Sequence, residues 1–62
     1  MNTQFSVSDR FGNLKTVNAN TFEQAAILSG LSGPIRIINI HNKKEARFSV
    51  HENIAVLIGY SK

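Results

Sequence analysis

One stretch of the sequence decides the fold: TFEQAAIL, at residues 21–28. Thr21 stands three residues before Gln24, the spacing of a capping box, in which each side chain accepts a hydrogen bond from the other residue's backbone amide. Glu23 falls in the first turn, where the helix dipole favours an acid, and Gly30 follows as a C-terminal stop. The pattern predicts a helix of two or three turns. Because so short a helix is not stable alone in water, we expect it to pack against a sheet.

Outward from this helix, apolar and polar residues alternate with the period of β-strands. The predicted strands cover residues 4–8, 14–19, 35–40, 46–51 and 54–60. A turn cluster at residues 9–13 joins the first two into a hairpin, and Glu52-Asn53 fits a tight turn before the last. The order β-β-α-β-β-β predicts an α+β fold, a mainly antiparallel sheet with one short helix packed on one face.

The length of 62 residues, 42% of them apolar, predicts a single domain over residues 1–62. So short a chain buries only about 60% of the surface that its unfolded form exposes, and the absence of cysteine excludes disulfides. Extra stability must then come from packing or from oligomerisation. No apolar run approaches the roughly 18 residues of a membrane span, and the N-terminus lacks signal-peptide features. We expect a soluble cytoplasmic chain, in the host cytoplasm if viral, without a membrane partner.

Two predicted strands, at residues 35–40 and 54–60, are apolar on both faces, and one short helix covers only part of one face. Alternation places Ile38, Ile40 and Leu57 on the side away from the helix. Either the sheet curls and takes these residues into its own core, or the second face, or the edge of the last strand, is an oligomer or partner interface. We expect the interface, with a homodimer as the favoured assembly.

A second candidate contact is the tip of the first hairpin, where Arg10 precedes Phe11. An aromatic residue beside an arginine on an exposed turn is typical of an interface hot spot. The alternative is that Phe11 folds back over the hairpin and caps the core.

The formal charge of +3 attracts anions, and four cations lie close in sequence: Arg36, Lys43, Lys44 and Arg47. Together they could contact a phosphate backbone or an acidic partner. The alternative is a loop that lysines keep soluble and unpaired. Phe48 shares the apolar face of its strand, so it is not available to stack on bases.

Catalysis needs a convergent set of groups, and the sequence offers few. The acids fall at turns or at the helix start, and His41 and His51 lack both a short spacing and a cysteine partner for a metal. No serine lies in a nucleophile elbow. We expect no enzyme, no catalytic, cofactor or metal site, and no small-molecule substrate.

The opening with Val17-x-Ala19-x-Thr21-x-x-Gln24-Ala25 is similar to that of β-grasp domains, such as the immunoglobulin-binding domains of bacterial surface proteins. The resemblance covers less than half of the chain and implies a small α+β module. Since the helix is shorter than in that family, no functional residue is carried over.

Chains of this size and class also occur among phage and mobile-element accessory proteins, an analogy of size and fold. The sequence favours a non-catalytic binding protein that self-associates and docks on a protein partner, for example as an inhibitor of a host enzyme. The alternatives are a small basic nucleic-acid-binding protein and a minor structural subunit of a virion-like assembly.

Overall fold

The computed structural model describes residues 3–61, which contain five strands and one helix. The elements are β1 (Thr3–Asp9), β2 (Leu14–Ala19), α1 (Phe22–Leu28), β3 (Gly33–Asn39), β4 (Glu45–His51) and β5 (Ile54–Ser61). The predicted fold class and element order are confirmed. The third strand begins at Gly33 and ends at Asn39, earlier than predicted at both ends. Ile40 already lies in the turn that follows it.

All five strands belong to one sheet with the order β2-β1-β3-β4-β5, in which every neighbouring pair is antiparallel. α1 carries the chain from β2 to β3 across β1, whereas short turns connect β3 to β4 and β4 to β5. This connectivity leaves β2 and β5 as the two edges of the sheet.

The predicted capping box begins α1, but the Gln24 side chain binds a different backbone amide from the one expected. The backbone N–H of Gln24 donates to Thr21 Oγ1 at 3.0 Å. The Gln24 side chain accepts from the N–H of Asn20 at 2.7 Å, one residue before the expected Thr21 amide. At the other end, the Ser29 hydroxyl donates to the Ala26 carbonyl at 2.7 Å. Both ends therefore satisfy backbone groups that a helix this short would otherwise leave unpaired.

The core lies between α1 and the face of the sheet that it covers. Its buried residues are Phe5, Val7, Ala19, Ala25, Ala26, Ile35, Ile37, Ala46, Phe48 and Val50. The buried helix residues are alanines, so they add little apolar area themselves, and strand side chains supply most of the volume. Phe22 packs edge-to-face on Phe5, with ring centroids 5.3 Å apart. One short helix is thus enough to cover the middle of this face.

The turn between β4 and β5 is the tight turn that the sequence predicts. Glu52 and Asn53 have φ angles of 51° and 64° and lie between the paired residues His51 and Ile54. A two-residue hairpin turn with positive φ at both positions has the twist of the adjoining strands. It sets β5 directly beside β4.

No helix within residues 3–61 is long and apolar enough to cross a membrane.

Candidate functional site: the β5 edge

The outermost strand β5 exposes more large apolar side chains than any other element. Ile54, Val56 and Ile58 are between 59% and 65% exposed, and Leu57 and Tyr60 are exposed as well. No charged residue occurs from Ile54 to Tyr60. As an edge strand, β5 also presents backbone N–H and C=O groups without a neighbouring strand, a ready template for pairing with another chain. We refer to Ile54–Tyr60 as the β5 edge.

A β-bulge at Ile58 changes which way the β5 side chains point. Phe48 pairs with Leu57 and Arg47 pairs with Gly59, so Ile58 has no partner on β4. An extra residue of this kind shifts the alternation of the residues after it. Tyr60 consequently lies on the helix-bearing face, where its ring packs edge-to-face on Phe22 with centroids 6.1 Å apart.

The structure corrects the face assigned to Leu57. Leu57 pairs with the buried Phe48 and therefore lies on the helix-bearing face, not on the opposite one. Ile38 does lie on the face opposite α1, which we call the open face, since it pairs with Ser6 and Glu45. Ile40 follows β3 in the turn, and its backbone N–H donates to the Gln4 carbonyl at 3.1 Å. Because Ile38 and Leu57 lie on opposite faces, the three residues do not form one contiguous surface.

Curling of the sheet does not take these residues into the core. Ile40 and Leu57 remain exposed, and Ile38 is half-buried. Ile54 and Val56 lie on the open face, although the alternation that placed Leu57 there assigns them to the face covered by the helix. The apolar side chains that the helix does not cover are therefore exposed, and most of them lie along the β5 edge, on both faces of the sheet.

Phe11 does not cap the core. Its side chain is 78% exposed at the tip of the β1–β2 hairpin, and the Arg10 guanidinium carbon lies 5.5 Å from the centre of its ring. Asp9 holds this tip in place: its Oδ1 accepts from the backbone N–H groups of Phe11 and Asn13, both at 2.9 Å. The side-chain hydrogen bond from Asn13 has the largest effect and lowers the pKa of Asp9; desolvation opposes it, and the backbone hydrogen bonds lower the pKa further, so that it lies below its ordinary value. An exposed aromatic–arginine pair thus stands on a well-ordered turn.

The four cations grouped in the sequence divide into two pairs in space. Arg36 and Arg47 are directly opposite each other in the β3–β4 ladder. Lys43 and Lys44 lie in the turn beyond that ladder, and Glu45 lies between them and Arg47 along the chain. Arg36 Nε contacts Glu45 Oε2 at 3.0 Å. The cations therefore do not form one continuous stripe.

No family model, curated protein or solved structure matches the chain. The candidate site is therefore argued from its own geometry and charge.

The two histidines lie far apart, since His41 occupies the β3–β4 turn and His51 ends β4 at the other end of that strand. Within the described part of the chain, no three His, Cys, Asp or Glu side chains come together in a way that could hold a metal ion.

The sequence predicts an interface at the second face or at the edge of the last strand, but it does not single out Ile54, Val56 and Ile58 as its residues. The signal was present in the run of seven uncharged residues from Ile54 to Tyr60, where Lys or Pro commonly guards an edge. This signal does not decide between the second face and the strand edge, because the sequence leaves the order of the strands open.

Proposed function

We propose that this chain is a non-catalytic binding protein that self-associates through the β5 edge into a dimer. The observation that carries the proposal is an edge strand that is uncharged and apolar on both faces. Monomeric proteins commonly protect such edges with charge, proline or a covering segment. A second copy of the chain would supply the missing cover.

The edge suits a symmetric pair. Two identical strands that run antiparallel about a two-fold axis are self-complementary, because each contact of one copy is repeated in the other. The regular part of β5, Ile54–Leu57, precedes the bulge at Ile58 and offers an unbroken ladder for this pairing. Since β5 carries no charge, the +3 charge of each copy does not place like charges against each other along the strand. The two sheets would then continue as one.

Backbone pairing alone does not make a stable interface. A standard interface buries about 800 Å² per partner, which is roughly a fifth of this chain's accessible surface of 4387 Å². Apolar side chains must therefore contribute on both faces: Ile54 and Val56 on the open face, Leu57 and Tyr60 on the helix-bearing face. Their burial at about 25 cal/mol per Å² would add to the stability that a small core supplies.

Amide hydrogen exchange on the wild-type chain tests this arrangement. We expect every second amide of Ile54–Leu57 to become more protected as the concentration rises from about 1 µM to about 1 mM, a range that spans association energies of roughly 4 to 8 kcal/mol. Amides of β2, the other edge, serve as the internal control and should not change. Sedimentation over the same range should show the mass of two chains. A monomer mass throughout, or equal protection at both edges, would contradict the proposal.

Docking on a different protein is a second candidate function, and the exposed Phe11 with its neighbour Arg10 favours it. Aromatic and arginine side chains dominate the energy of protein interfaces. Phe11→Ala should abolish such binding without lowering Tm, because the side chain makes little contact with the core. A fall in Tm of several degrees would indicate a structural role instead.

A further inference from the structure

The open face carries a cleft of about 320 Å³ that is separate from the pairing strand Ile54–Leu57. Ser8, Arg10, Pro34, Arg36, Arg47 and Ile58 line it, together with Asp9. The volume lies at the lower end of the range of about 300–1,000 Å³ that is typical of small-molecule sites. Three arginines thus line one concavity on a small sheet.

The two central arginines place like charges directly opposite each other on the open face. Arg36 and Arg47 are directly opposite each other in an antiparallel pair, where like charges destabilise a sheet. Glu45 contacts Arg36 at Nε, and a guanidinium has four other N–H donors. Among residues 3–61, Arg47 forms no salt bridge. Donors for an anion are therefore available from both side chains.

The carboxylates near the cleft determine what kind of anion fits. Asp9 Oδ1 and Oδ2 are already used by the β1–β2 turn, the latter by the Asn13 side chain at 2.8 Å. Glu45 lies on the open face next to the arginine pair along the strands, whereas Asp9 pairs with the buried Ile35 and so has the parity of the helix-bearing face. A run of phosphates that followed the strands toward Glu45 would meet a carboxylate. One compact anion between the arginines would not.

We propose that this cleft binds the terminal phosphate of a small phosphate monoester, with Arg36 and Arg47 on the phosphate oxygens and Pro34 and Ile58 against the organic substituent. Arginine suits this task because its planar group donates two parallel hydrogen bonds to phosphate oxygens. Arg10 and Ser8 line the same cleft, and both side chains carry further hydrogen-bond donors. The dianion is preferred over a monoanion because it matches two facing cations. The site requires no turnover of the ligand and does not depend on self-association.

Titration with phenyl phosphate, followed by NMR shifts of backbone amides and calorimetry, tests the site. We expect saturable binding, with the largest shifts at Ser8, Arg36 and Arg47. Phenyl sulfate, a monoanion of similar shape, should bind more weakly. Arg47→Gln should weaken phenyl phosphate binding about tenfold or more, the loss expected for one charge-assisted hydrogen-bonding partner.

Lys44→Gln is the matched control, since it removes the same charge from the exposed β3–β4 turn. It should leave the affinity for phenyl phosphate nearly unchanged. If Lys44→Gln and Arg47→Gln weaken binding equally, attraction is only a matter of net charge and the site is refuted. A single-stranded oligothymidylate that binds more tightly than phenyl phosphate, with steep salt dependence, would instead establish a nucleic-acid surface and overturn the proposal. The far-UV spectrum of each variant verifies that it is folded.

Discussion

The two edges of this sheet present opposite surfaces to their surroundings. β2 carries Lys15, Thr16 and Asn18 as exposed polar side chains, with Leu14 as its exposed apolar residue. β5 carries no charge and exposes apolar side chains on both faces. Both strands have one free backbone edge, so the backbone does not distinguish them. The difference lies in the side chains.

This difference between the edges indicates how a small chain can form a dimer without assembling further. A single apolar, self-complementary edge gives a closed pair, whereas two such edges on one chain would allow an open-ended array. Lysine on an edge strand is a common protection against pairing, because its charge must lose water when another strand approaches. In this reading, the polar β2 edge is what would stop the assembly at two copies.

The largest effect should follow from a charge at the apolar edge. Val56→Lys places an ammonium group in the middle of the proposed interface, where burial without a partner costs about 3–5 kcal/mol and raises the dimer Kd at least about 100-fold. Leu14→Lys is the matched control, because Leu14 is 66% exposed on the same open face at the other edge. Sedimentation should show a monomer for Val56→Lys and a dimer for Leu14→Lys. Equal behaviour of the two variants would remove the distinction between the edges.

The reverse change should remove the limit on assembly. Lys15→Val with Asn18→Val makes the β2 edge apolar, so that each chain has two edges able to pair. We expect the mass to rise beyond two chains as concentration increases, measured by light scattering. His41→Val with Lys44→Val adds comparable apolar surface in the β3–β4 turn, away from both edges, and should stay dimeric. If both double variants aggregate alike, general hydrophobicity explains the result and the role of the β2 edge is rejected.

The smallest effect concerns the hairpin that supports the β2 edge. The folded-state pKa of Asp9 lies below the ordinary value of 3.8, so its contribution to stability is present above that pH and is lost as the pH falls through the lower folded-state value. We expect the Tm of the wild-type chain to decrease modestly from pH 5 to acid pH. The decrease should be smaller in Asp9→Asn, because that variant keeps an acceptor oxygen but has no titrating group at this position. Thermal unfolding monitored by circular dichroism measures it. An identical pH dependence in both chains would assign the loss to other groups.

Much of the local structure followed from the sequence, because its causes lie within a few residues. The Thr21–Gln24 cap, the alternation of Phe48 with polar neighbours, and the tight turn at Glu52-Asn53 each depend on short-range hydrogen bonds or on burial of one strand face. The cap departed from expectation only in the amide that Gln24 binds, a choice between two adjacent residues.

The candidate site was only partly predictable. Alternation assigned Leu57 to the open face, but its pairing with the buried Phe48 places it on the helix-bearing face, and the bulge at Ile58 then brings Tyr60 to that same face. Gly59, a glycine inside the strand next to Ile58, is a local signal for a bulge, but it does not show which residue is inserted. Likewise, the sequence groups Arg36 and Arg47 with two lysines as one candidate contact, and only the β3–β4 register shows that the two arginines lie directly opposite each other.

The sequence by itself determined the six elements, their order and the surplus of apolar side chains over what one helix can cover. Only the tertiary structure decided that β5 is an edge, that its apolar residues occupy both faces there, and that the cations divide into an arginine pair and a lysine turn. The physical reason is range: caps and turns depend on neighbours in the chain, whereas strand order and register depend on contacts between distant segments.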